Sequence, residues 1–124
     1  MLSPVPEDHI FTDLGLLELV CGNDERAATY FELVANPSIW STIYQAVNAE
    51  LSGRDQPHVS RRARDRIAAI WPSGAEMTDE AVVRWMLHHN PFRAKDVEAR
   101  FLEGARMMLA SASVPSEPGP LAGR

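Results

Sequence analysis

The chain has 124 residues, with 17 acidic and 12 basic side chains, four histidines and one cysteine. That length suits one domain of about 100–200 residues, and 45% hydrophobic content is enough to bury a core. The net charge of −5 counts against a general nucleic-acid or anionic-membrane surface, since both reward excess Lys and Arg. A single cysteine excludes an intrachain disulfide and a multi-cysteine zinc site. No apolar run approaches the ~20 residues of a membrane span. The opening Met-Leu-Ser-Pro-Val-Pro-Glu-Asp lacks the basic start and apolar middle of a signal peptide. A cytoplasmic protein is expected.

In chain order, residues 1–5 read as a flexible start. Asp8 or Thr12 is placed to cap a first helix with its body over residues 14–21, and Gly22 sits where a terminating glycine belongs. Asn23 and Asp24 offer the next N-cap, for a helix reaching Ala35 and stopped by Asn36-Pro37. Ile39, Ile43, Val47 and Leu51 repeat every fourth position, giving a third helix over 37–51. Val59, Ala63, Ile67 and Ile70 mark a fourth helix, closed by Trp71-Pro72-Ser73-Gly74.

Thr78 followed by Asp79 and Glu80 starts a fifth helix over 79–89, with acids where the helix dipole favours them. Val97, Phe101, Ala105, Met108 and Ala112 stripe the last one. The glycines read as helix ends or tail. Residues 111–124, with three prolines and two glycines, read as a disordered tail. Neither sustained alternation nor an Asn-Gly or Asp-Gly hairpin turn is found. The expectation is all-α: one domain over 6–110, a compact bundle of five or six short helices between flexible termini.

Catalytic motifs are missing: no G-x-S-x-G, no Walker loop and no G-x-G-x-x-G. Cys21 ends an apolar helix and reads as a buried or half-buried structural thiol. His88 and His89 are adjacent, so on a helix they point about 100° apart and do not converge on one ion. Their place near a helix C-terminus suits the dipole. The pairs Glu7/Asp8 and Asp79/Glu80 read as helix-start acids, and Glu98 and Glu103 as a solvated face beside Arg100 and Arg106. No metal, cofactor or enzymatic activity is expected.

Charge is uneven. Residues 1–57 hold nine acidic and two basic side chains, residues 58–124 eight and ten. The basic peak is Arg61, Arg62, Arg64 and Arg66, on a helix that could open a helix-turn-helix or face an acidic partner. The helix after it begins Asp79-Glu80 and carries little that reads base edges, which disfavours nucleic acid.

The surplus lies in apolar surface. From Ala81 to Leu87 only Arg84 is polar, and Leu14, Leu16, Leu17, Leu19 and Val20 nearly encircle the first helix. A small bundle cannot surround every helix, so one of the two is expected to meet another chain. The sequence points to a non-enzymatic regulatory protein, an anti-activator or inhibitor type. It would be a homodimer that binds another protein, such as a transcription regulator, through Leu16, Leu17, Arg84, Trp85 and Met86. The alternatives are a nucleic-acid-binding regulator using the Arg61, Arg62, Arg64 and Arg66 helix, and an enzyme whose site follows no recognised motif.

Overall fold

The computed structural model describes residues 6–54 and 56–113. Residues 1–5 and 114–124, expected to be flexible, lie outside the described residues. Six helices and no strand make up the described chain: α1 Pro6–Val20, α2 Asp24–Glu32, α3 Ile39–Leu51, α4 Pro57–Ile70, α5 Asp79–His89 and α6 Lys95–Ser113. Ser111, Ala112 and Ser113, expected in the tail, complete α6.

Several ends follow the expected chemistry. Gly22 and Gly53, with φ of 83° and 74°, take the left-handed conformation that closes α1 and α3. Thr78 Oγ1 accepts from the Ala81 amide at 3.1 Å to start α5, and Ser38 Oγ does the same for Ser41 at 3.1 Å to start α3. The third helix therefore begins at Ile39, two residues later than expected, because Ser38 rather than Pro37 supplies the cap.

Other ends depart from it. α1 starts at Pro6, so Asp8 and Thr12 lie inside the helix rather than capping it. The buried Asp8 carboxylate reaches across the fold and accepts from the amides of Ala35 (2.9 Å) and Asn36 (3.0 Å). Those amides lie in the link between α2 and α3, and α2 accordingly ends at Glu32 rather than Ala35. Asn23 stands at the N-cap of α2, but its side-chain amide donates instead to Glu18 Oε1 at 2.7 Å.

α3 is the centre of the bundle, packed against α1, α2, α4 and α6. Neither α1 nor α5, the two helices that apolar residues nearly encircle, takes that place. One face of α3 buries Ile43 and Val47. Another buries Ser41, Thr42, Ala46, Asn48 and Ala49, small enough for neighbouring backbones to approach. The hydroxyls of Ser41 and Thr42 are satisfied by the Ser38 carbonyl at 3.1 and 2.8 Å, which lets polar residues sit in a core.

Close approach also explains two glycines that stand inside helices rather than at their ends. A Cβ on Gly15 of α1 would meet the Phe31 ring of α2 (Cδ1 at 2.7 Å). One on Gly104 of α6 would stand 2.6 Å from Val47 Cγ1 and 2.8 Å from Leu51 Cγ on α3. Arg100 ties α6 to the α1–α2 junction through Asp24 Oδ1 (2.7 Å) and the Leu19 carbonyl (3.4 Å). It is thus a tertiary strut and not part of a solvated face.

Candidate functional site

With about 100° between successive residues of a helix, two inward contacts fix the orientation of α1. Gly15 lies against Phe31 and Leu19 is fully buried. Leu17, two positions from each, must then point away from the bundle, and so must Ile10, two turns earlier. Both do, at 56% and 55% exposure. Beside Leu17 is an open hollow of about 310 Å³ lined by Asp13, Leu16, Leu17, Val20 and Phe92. Phe92 comes from the α5–α6 link and is braced by Phe101, ring centres 5.1 Å apart.

The electrostatics of this face have one sign. α1 carries Glu7, Asp8, Asp13 and Glu18 and neither Lys nor Arg. Asp8 is used internally, and Glu18 is engaged by Asn23 and by Arg26 at 3.4 Å. Glu7 and Asp13 are exposed. Cys21, at the far end of the same helix, is exposed as well. It follows the last helical turn, where the chain leaves the bundle surface, and is not the buried thiol expected.

α5 distributes its apolar side chains differently. Val82, Val83 and Met86 are buried, Met86 completely. Met86 therefore belongs to the core and offers nothing to a partner. Trp85 is half-buried and stacked on Trp40 of α3 (4.8 Å, 17° between planes), with Trp71 edge-on at 6.1 Å. His89 caps this group, its ring 5.7 Å from Trp40, and its Nδ1–H donates to the Trp85 carbonyl at 3.0 Å. Arg84 is exposed and, among the described residues, makes no ion pair.

The five predicted contact residues thus do not form one surface. Leu16 and Leu17 share the α1 hollow, Trp85 is in the aromatic stack, Arg84 faces solvent and Met86 is inside. Ile10 and Phe92 complete the α1 face without having been singled out. Ile10 was legible as the residue two turns from Leu17. Phe92, in a link with no periodicity, gave no signal.

Between the two regions lies Tyr44 of α3. Its hydroxyl donates to Asn90 Oδ1 at the end of α5. Burial, helped by the negative charge of Asp13, pushes its phenol up to about 12.

The four arginines of α4 also separate. Arg66 Nη1 donates to the Pro37 carbonyl and to Thr42 Oγ1, both at 2.8 Å, so it fastens α4 to the start of α3. Arg61 and Arg64 are half-buried, with Arg64 Nε enclosed and unpartnered. Arg62 alone of the four is exposed. They are spread around the part of α4 not taken by its buried Val59, Ala63 and Ile67 and do not present one exposed basic stripe.

Among the described residues no group of three His, Cys, Asp or Glu is placed to hold a metal ion, and no helix is long and apolar enough to cross a membrane. No protein-family model, curated protein or solved structure matches this chain.

Proposed function

We propose that this chain is a non-enzymatic regulatory module that binds another protein through the outward face of α1. The carrying observation is the pair Ile10 and Leu17, each more than half exposed on one line of a helix, beside the hollow walled by Leu16, Val20 and Phe92. Full burial of a Leu or Ile side chain stabilises a complex by about 1.5–3 kcal/mol. Two such residues and a hollow for one partner side chain suit a compact docking site.

Charge selects the partner. Glu7 and Asp13 flank the apolar line, and α1 has no Lys or Arg to offset them. A second copy docking through the same face would set these carboxylates against each other. A partner with an apolar anchor between Lys or Arg residues fits better, as on the basic surface of a DNA-binding regulator. Covering such a surface would block it sterically, which is an anti-activator's mode of action.

The test compares proteins retained from the native cells by the wild type, by Leu17→Asp and by Ile10→Asp, with cross-links mapped by mass spectrometry. The expected result is a retained protein that cross-links to α1, is released by salt and is lost with either substitution. Retention of the same proteins by all three forms would sink the proposal. A wild-type dimer in solution abolished by Leu17→Asp would replace the basic partner by a second copy.

A further inference from the structure

A second concave feature lies away from the α1 face, where α2, α3 and the start of α4 meet. It is a cleft of about 230 Å³, room for roughly seven or eight water molecules at ~30 Å³ each. That is the size of a small metabolite rather than of a nucleotide or a drug-sized ligand. Its charged and polar walls come from three segments: Glu32 of α2, Gln45 and Asn48 of α3, and Arg54, His58 and Arg62 around the entry to α4. Ala28, Ala49 and Val59 supply the apolar remainder.

Two properties set this cleft apart from a merely polar surface. First, Asn48 is 2% exposed. Its Nδ2 donates to the Asp24 carbonyl at 3.0 Å, which fixes the amide, since the flipped orientation would oppose two oxygens. Oδ1 has no donor and is itself closed to solvent, so Asn48 gives the cleft a fixed floor and leaves ligand recognition to the side chains around it. Second, the cleft holds both signs of charge unjoined. Glu32, Arg54 and Arg62 all line it, yet none of them makes an ion pair among the described residues. Guanidiniums present a donor fork for a carboxylate. A carboxylate is an acceptor suited to an ammonium.

We propose that this cleft binds a small zwitterion, a free α-amino acid. Its carboxylate is held by Arg54 and Arg62, its ammonium faces Glu32, and its side chain lies against Ala49 and Val59. The size of the cleft and its opposite, unjoined charges are both accounted for by this one ligand class. The site shares no residue with the α1 face and does not depend on the protein partner proposed above.

The test is a titration of the isotope-labelled full chain with each standard amino acid, with inorganic phosphate, and with carboxylic acids that lack the amino group, followed by amide chemical shifts. The expected result is that at least one amino acid moves the amides of Asn48, Ala49 and Val59 with a Kd in the millimolar range or tighter. Arg62→Glu and Glu32→Gln, both at exposed positions, should keep the wild-type spectrum elsewhere and weaken that binding by about tenfold or more. The proposal is overturned if no amino acid moves these amides. It is also overturned if phosphate or the deaminated acids bind as tightly as the amino acid, or if both variants bind it unchanged.

Discussion

Replacing Gly104 by alanine sets two physical effects against each other with opposite signs. Considered as an isolated helix, α6 gains, because alanine is better than glycine in a helix interior by about 0.8–1.0 kcal/mol. In the folded chain the new methyl would stand 2.6 Å from Val47 Cγ1 and 2.8 Å from Leu51 Cγ. Leu51 is half-buried and can shift. Val47 is fully buried, and a β-branched residue in a helix is nearly confined to one χ1 rotamer. Relief must then come from separating α6 from α3, which loosens the packing of Ala105 and Met108 as well. With a fully buried, rotamer-locked neighbour the cost lies in the upper part of the usual overpacking range, about 2–3 kcal/mol, so Gly104→Ala is expected to lose about 1–2 kcal/mol net. For a domain of this size that is a fall in Tm of roughly 5–10 °C.

Thermal and urea unfolding followed by far-ultraviolet circular dichroism measures the change. The double variant Val47→Ala/Gly104→Ala gives the internal check. Removing the obstructing methyls should make the second substitution less costly than in the wild-type background, by about 0.5 kcal/mol or more. A Gly104→Ala protein as stable as the wild type, or more so, would show that helix propensity governs this position and that α3 and α6 are not held at a separation only glycine permits.

Asp8→Ala removes the acceptor of two amides, and hydrogen bonds to a charged group contribute about 1.5–3 kcal/mol each. Because Ala35 and Asn36 are exposed, water replaces part of the lost bonding. We expect a loss of about 2–3 kcal/mol, a smaller one for Asp8→Asn, and faster hydrogen exchange at Ala35 and Asn36; unchanged exchange there would contradict the Asp8 contact. Tyr44 gives a pH signature. With the folded phenol raised to about 12 against an unfolded value near 10, the unfolded chain gives up its proton first, so stability is intact below pH 10 and falls as pH rises toward 12. Tyr44→Phe should flatten that fall, and an equal decline in both proteins would argue against it. Ile10→Asp and Leu17→Asp, at exposed positions, should unfold within about 0.5 kcal/mol of the wild type, so that any loss of partner is a surface effect.

The helices were legible because their stops are chemical: Thr78, Gly22 and Pro72 act locally, and α5 lies where its N-cap and acidic first turn put it. Position in the bundle was not. α3 is central because small and hydroxylated residues let backbones approach, and a reading that looks for helices apolar all round favours α1 and α5 over it, since Ser41, Thr42 and Asn48 interrupt the circumference of α3. Asp8 looked like a helix-start acid since its amide partners are 27 and 28 residues away. Of the contact residues, Leu17 could be placed from periodicity, whereas the burial of Met86 depends on which side of α5 meets α6. The cleft around Asn48 assembles residues from three segments with no common motif, and only the fold brings them together.

Trp40, Trp71 and Trp85, all the tryptophans of the chain, sit in one ring-contact group. Indole emission responds to the water and rings immediately around it, so the protein has a single optical reporter at the corner where α3, the end of α4 and α5 meet. α1 and α2 are dark at indole excitation. Fluorescence will register the loosening of that corner, while a molecule settling on α1 can leave the spectrum untouched. A silent fluorescence titration is therefore not a negative binding result for this chain, and a label placed at the exposed Cys21 would illuminate the side its own chromophores cannot see.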